Sequence, residues 1–305
     1  MFRNFKEIES YVLDKGIKKR IVLMNAHDSH SLPAVVDAKR KGVLTAALIG
    51  DSPVIEKMLS EMDEPQSDYE IIHNTDSASC AKMAISLIKA GQADYPMKGL
   101  MQTTDFMRAI LDKENGLVPP GGLLSQATIV ENPEENRLFF VTDCAINIAP
   151  NFAQKKLIIE NAVGLASALG YENPKVAAIS AIEIANPKIP STMDAKALQE
   201  ANERGEIRGC VIAGPLALDN AVSRESARHK DISGPIAGDA DILLMPDLAA
   251  GNIFTKSLTF YAKMNSAGTI LGASCPIIGT SRTDTPSNKY LAILIGLACV
   301  GMANA

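Results

Sequence analysis

The segment PIIGTSRTDTPSNKY (276–290) sets Thr280, Ser281, Arg282, Thr283 and Asp284 in one loop behind an apolar run. Arg offers a planar fork for phosphate or carboxylate. Ser supplies a neutral hydroxyl donor, and Asp284 is a candidate general base. An anion anchor, a hydroxyl and a carboxylate together are what acyl or phosphoryl transfer needs. An Asp–Arg surface pair with Thr capping would use the same residues.

Four other loops carry unusual polar groups. In MKGLMQTTDFMR, Lys98-Gly99 ends a strand, Thr103 or Thr104 can cap the next helix, and Arg108 follows within it. Glycine allows close backbone approach, and a helix N-terminus attracts anions. In TDCAINIAP, Thr142, Asp143 and Asn147 are polar among apolar neighbours, which fits either ligand contact or turn chemistry. NPKIPSTMDA holds Asn186 and Lys188 in a proline-fixed loop, and AAGNIFTKS adds Gly251, Asn252 and Lys256. Loops at the carboxyl ends of parallel strands are where ligands bind, so the five together predict a site for a large anionic ligand between two domains.

The elements that must carry these loops alternate. Short β-branched runs from Ile21, at TAALIGD, YEIIHN and YPMKG, are separated by helical segments, with Ser52 as candidate cap of the second. Such alternation predicts βαβ units and a parallel sheet. After Gly116 the rhythm breaks: LLSQATIVENPEENRLFFVTD predicts an antiparallel hairpin turning at Asn132 to Asn136. A helix over 152–169 follows, closed by Gly170. Strands at KVAAISAI, CVIAGPLA, ILLMPDL and TILGASCPIIG then alternate with helices, including one over NAVSRESARHK, and a last helix starts near Pro286. The hairpin suggests a domain boundary near 140. The expected division is 1–140 plus 285–305 as a first domain, with 141–284 inserted as a second.

The 305 residues exceed one ordinary domain. Apolar residues are 47%, charged residues 21%, and the net charge is -5, a composition that argues against nucleic acid or a membrane surface as partner. Five widely spaced cysteines without CxxC argue against a disulfide framework or zinc site. They fit reduced thiols in a cytoplasmic protein. The N-terminus mixes charges and reads as no signal peptide, and the apolar C-terminal stretch is too short to span a membrane. GxGxxG, GxxxxGK[ST], HExxH and GxSxG are absent. His27 to His30, HDSH, offers two imidazoles and a carboxylate, read as a loop and helix cap rather than a metal site. Cys275, near the TSRTD loop, is a rival nucleophile, with a core thiol as the plainer reading.

The strings KGLMQTTDFMRAIL, TDCAINIAP, NPKIPSTMDA, GPLALDNAVS, ADILLMPDLAAGN and TSRTD together resemble the phosphate acetyl/butyryl transferases, most closely the butyryl branch. The resemblance implies the reaction acyl-CoA plus phosphate to acyl phosphate plus CoA. It implies a two-domain, three-layer αβα fold like isocitrate and isopropylmalate dehydrogenases, with the second domain inserted in the first and the site in the cleft between them. It implies a homodimer or higher homo-oligomer, coenzyme A as substrate rather than resident cofactor, and no metal. Ser281 matches the serine assigned to the CoA thiol or thiolate, and Arg282 and Arg108 match arginines assigned to phosphate. The acetyl-branch catalytic Asp falls at Asn288 here, and Asp284 is the expected base. Lys98, Thr103, Thr104, Asp143, Asn147, Asn186, Lys188, Asn252, Lys256 and Thr280 are the expected substrate contacts.

Overall fold

A computed structural model describes residues 1–281 and 283–303, with side chains as far as Cys299. In chain order the elements are α1 (Phe5–Asp14), β1 (Lys19–Met24), α2 (Ser31–Arg40), β2 (Leu44–Gly50), α3 (Ser52–Glu61), β3 (Glu70–His73), α4 (Ser77–Lys89), β4 (Tyr95–Lys98) and α5 (Thr103–Ile110). Then come β5 (Ser125–Asn132), β6 (Arg137–Thr142), α6 (Phe152–Ala168), β7 (Lys175–Ile179), α7 (Pro190–Glu203), β8 (Val211–Leu216), α8 (Leu218–Val222), α9 (Arg224–His229), β9 (Ile242–Leu244), α10 (Leu248–Phe260), β10 (Ser266–Leu271) and α11 (Pro286–Ala303). The chain forms two compact units. A central unit holds Leu123–Ser266 with Met1–Phe5, and a split unit holds Lys6–Gly122 with the chain from Ala267 onward.

The split unit is built on a parallel sheet of order β3-β2-β1-β4. Ile21, Val22, Leu23 and Met24 of β1 are all fully buried. A strand covered on both faces has no solvent side, which is why its sequence is continuously apolar rather than alternating. β1 pairs with β4 from Ile21↔Tyr95 to Met24↔Lys98. Past the end of β4, Gly99 donates its N–H to the Met24 carbonyl (2.9 Å) and Leu100 donates to the Asn25 carbonyl (3.1 Å). The segment expected as one last strand, TILGASCPIIG, is instead β10 and a return. Gly272 is left-handed (φ 86°), and Ile270 then pairs antiparallel with Ile277. Ile278 joins β4: Lys98 N–H donates to the Ile278 carbonyl (2.9 Å), and Ile278 N–H donates to the Pro96 carbonyl (3.0 Å). α11 packs on α2, and Ile293 to Leu297 are buried. Among the described residues no helix is long and apolar enough to cross a membrane.

In the central unit five strands run β5-β6-β9-β7-β8. β5 and β6 form the expected antiparallel hairpin, from Ala127↔Thr142 to Asn132↔Arg137. Asn136 takes the left-handed conformation (φ 47°) its turn requires. Asn151 and Gln154 form a capping box at the start of α6, and left-handed Gly170 follows its end.

Backbone pairing moves the expected boundaries. Because β6 pairs with β9, the whole hairpin belongs to the central unit, which begins at Leu123 rather than 141. Because Ile278 is bonded to β4, the TSRTD loop belongs to the split unit, which resumes at Ala267 rather than 285. Met1–Phe5 joins the central unit, Phe2 N–H donating to the Leu169 carbonyl (3.2 Å) and the Tyr171 hydroxyl to the Phe2 carbonyl (3.2 Å). Two smaller expectations also change. Asp51, not Ser52, is the N-cap of α3, and NAVSRESARHK divides into α8 and α9 because Ser223, extended, caps the second helix.

A Cβ on Gly99 would lie 2.4 Å from the Met24 carbonyl oxygen and 2.5 Å from that of Asn25. Both are backbone atoms at a strand end and cannot swing away. Gly99→Ala should destabilise the protein by about 2 kcal/mol or more, the upper part of the overpacking range, measured by urea unfolding.

Candidate functional site

Three loops of the split unit meet where β1, β4 and the Ile278 segment end. The β1–α2 loop contributes Asp28, which is buried. Its Oδ1 accepts the N–H groups of His30 (2.8 Å) and Ser31 (2.7 Å), satisfying donors at the start of α2. The HDSH motif is thus a helix start, and His27 Nδ1 accepts the Asp51 N–H (3.3 Å). Burial works to raise the Asp28 pKa, but the Ser31 and His30 N–H bonds and the charge of Lys289 hold it below its ordinary value. Ser31 donates its hydroxyl to the Lys98 carbonyl (3.4 Å), tying this loop to the end of β4. Lys98 itself is buried.

The TSRTD loop is tied down by α11. Lys289, 2% exposed, donates from Nζ to the Thr280 hydroxyl (2.9 Å) and to the Ser281 carbonyl (3.1 Å). Ser281 is exposed. Its N–H donates to Asp284 Oδ2 (2.7 Å), the Asp284 N–H returns to the Ser281 carbonyl (3.2 Å), and its hydroxyl lies 3.0 Å from that of Thr283. The loop therefore carries an exposed serine whose backbone is held from both sides and whose hydroxyl also accepts the Thr283 N–H (3.4 Å). Arg282 lies outside the described residues. Asn288 donates its N–H to the Thr285 hydroxyl (3.2 Å), within the first turn of α11.

α5 abuts this loop, since the position of a Gly279 Cβ is 3.4 Å from Phe106. Neither Thr103 nor Thr104 caps the helix, contrary to expectation. Gln102 is the N-cap and makes no side-chain bond, which leaves both threonines exposed. Among the described residues Arg108, 78% exposed, pairs with Asp105 of its own helix at 3.8 Å, a weak pairing that lets the guanidinium turn to an anion.

In the central unit the expected ligand contacts are largely occupied. Asp143 is buried. Its Oδ1 accepts the N–H groups of Gln126 (3.3 Å), Ala145 (2.9 Å) and Ile146 (3.1 Å), and Oδ2 accepts that of Asn147 (3.0 Å). Asn147 donates its amide to the Leu124 carbonyl (2.8 Å), and Asn252 to the Cys144 carbonyl (3.2 Å). A carboxylate surrounded by backbone donors organises its own loop, the turn chemistry that the sequence left open. Asn186 Oδ1 accepts the Lys188 N–H (3.0 Å), and the Asn186 N–H goes to Thr192 (2.8 Å). Lys188 and Lys256 are exposed, Lys256 6.0 Å from the Phe260 ring centre.

Cys275 is a poor nucleophile: burial, then the negative charge of Asp94, pushes its thiol up to about 12. Among the described residues no group of three or more His, Cys, Asp or Glu is placed to hold a metal ion. Sequence reasoning missed Lys289 and the burial of Asp28. The available signal was a single cation at the head of an otherwise apolar helix, SNKYLAILIGLACV.

The model of the family described as phosphate acetyl/butaryl transferase matches residues 78–297. The phosphate butyryltransferase of Clostridium acetobutylicum is 41% identical over 301 residues, 99% of each chain. The phosphate acetyltransferase of Thermotoga maritima is 38% identical over 92% of this chain and 95% of its own. The crystal structure of a branched-chain phosphotransacylase from Enterococcus faecalis V583 superposes with a TM-score of 0.81 at 33% identity, covering 92% of this chain and 99% of that one. By this likeness along nearly its whole length, the chain belongs to the phosphate acetyl/butaryl transferase family.

Proposed function

We propose that the chain is a phosphate butyryltransferase, moving a short acyl group between coenzyme A and inorganic phosphate. The observation that carries the reading is the exposed Ser281 on a loop fixed by Asp284 and Lys289, in a chain 41% identical to a phosphate butyryltransferase. A phosphate oxygen attacks the thioester carbonyl carbon, a C–O bond forms, the C–S bond breaks, and the thiolate departs. No covalent enzyme intermediate is needed, which accords with the raised Cys275 thiol. Holding both reactants in place supplies much of the rate.

Arg108 and Arg282 anchor phosphate, with Thr103 and Thr104 at the start of α5, the helix that carries Arg108. The Ser281 hydroxyl donates to the leaving sulfur, whose thiol form has an ordinary pKa of about 8.5. In the reverse direction Asp284, whose Oδ2 accepts the Ser281 N–H, takes the thiol proton. Lys98, Thr280, Asn252 and the Asp143–Asn147 loop shape the surroundings rather than react. The five cysteines are free thiols, in keeping with a cytoplasmic location. A second reading, a phosphate acetyltransferase, is favoured by the likeness to the Thermotoga maritima enzyme.

Phosphate-dependent release of thiol from acetyl- to valeryl-CoA separates the readings. A maximum at four carbons is expected from the likeness to phosphate butyryltransferase, with each methylene buried up to that length adding about 0.8 kcal/mol, roughly fourfold in rate. A maximum at acetyl would favour the acetyltransferase, and no phosphate-dependent release would leave only an acyl-CoA-binding module. Ser281→Ala should lower kcat about 10²-fold with little change in either KM, the loss typical of one donor to developing charge. A change in KM alone would remove the serine from the chemistry. Asp284→Asn keeps an acceptor for the Ser281 N–H but cannot take a proton, and should lower kcat for acyl-CoA synthesis by about 10² or more. Turnover near the wild-type level would make Asp284 a support of the loop only.

A further inference from the structure

A buried lysine with no duty in the reaction above stands out in the split unit. Lys289 opens the apolar face of α11, and burying a charge there is costly unless it is paired and hydrogen-bonded. Its Nζ reaches two partners, both in the TSRTD loop: the Thr280 hydroxyl at 2.9 Å and the Ser281 carbonyl at 3.1 Å. Two carboxylates balance its charge, Asp28 from the β1–α2 loop and Asp284 from the TSRTD loop itself. Asp28 is in turn locked by two backbone N–H groups. The exposed Ser281 is thus clamped on its carbonyl side by Lys289 and on its N–H side by Asp284, and its hydroxyl bonds Thr283 within the loop. Thr280 is buried, with its hydroxyl turned to Lys289.

We propose that Lys289 is a positioning residue of the transfer reaction, fixing through Thr280 and the Ser281 carbonyl the direction in which the Ser281 hydroxyl meets the leaving sulfur. The inference rests on the transferase reading. It adds a residue that touches neither substrate and that works from beneath the loop. Burial lowers the ammonium pKa while Asp28 and Asp284 oppose that shift, as expected of a charge placed for its hydrogen bonds rather than for solvent.

The test is steady-state turnover of butyryl-CoA with phosphate by the full-length chain, in wild type, Lys289→Met and Thr280→Val. Each rate is taken per folded molecule, with folding followed by circular dichroism. Methionine keeps the length and apolar stem of lysine and removes both hydrogen bonds. A displacement of about 1 Å at a reacting group costs about 10²-fold, so Lys289→Met should lose about that factor in kcat while both KM values stay within about threefold. A purely structural lysine would lower the melting temperature and leave kcat of the folded fraction unchanged, which overturns the proposal. Should Lys289→Met fail to fold, Thr280→Val decides: it leaves the lysine in place with one acceptor fewer, and should lower kcat about tenfold, a fraction of that positioning loss, at unchanged KM. Wild-type kcat in Thr280→Val, or a change confined to KM, overturns the proposal. Absence of phosphate-dependent turnover in the wild type sinks the transferase reading and this inference with it. An active wild type with an equally active Lys289→Met sinks the inference alone.

Discussion

Two backbone hydrogen bonds, from Lys98 to the Ile278 carbonyl and from Ile278 to the Pro96 carbonyl, decide where the candidate loop of the split unit can sit. They add Ile278 to the open edge of β4 in parallel, so the residues that follow it leave the sheet at the same end as β1 and β4. Parallel strands release their loops at one edge. Asp28, the Lys98 carbonyl and the TSRTD loop therefore converge although they come from distant parts of the chain. Gly99 permits that convergence, since any side chain there would strike two carbonyl oxygens.

Cations are used in two ways in this unit. Lys289 is enclosed and bonded, and its hydrogen bonds act in a medium where they are stronger than in water. Arg108 is left in solvent with a distant partner, so turning it toward an anion sacrifices little. Enclosure keeps a side chain still, and exposure leaves one able to move. The central unit follows the first pattern with a carboxylate: Asp143 gathers backbone N–H groups from both β5 and its own loop, which leaves that loop self-supporting.

Much of this was legible because it is local. Ile21 to Met24 announce a strand buried on both faces, Gly170 ends α6, and the polar turn between Asn132 and Asn136 makes the hairpin. The TSRTD loop is conspicuous because Ser, Arg and Asp crowd one strand exit. What sequence could not supply is long-range pairing. Nothing in PIIG says that Ile278 will bond to β4, so the boundary was expected past the loop instead of before it. Asp143 reads equally as ligand or turn former until its donors are seen. Lys289 resembles any lysine near a helix start, and its enclosure depends on Asp28, over 250 positions earlier in the chain.

The division of the chain also fixes an order of assembly. Domains usually form in the sequence in which the ribosome releases them, but here the unit that holds Lys6–Gly122 is completed last. The central unit has all its strands once Ser266 has emerged, whereas the split unit, started at Lys6, still lacks the Ile278 segment and α11. Its partial sheet must wait with the edge of β4 unpaired, and an unpaired edge is a template for association with other chains. The Ile278 segment that closes this edge is thus the one that leads directly into the loop of the candidate site.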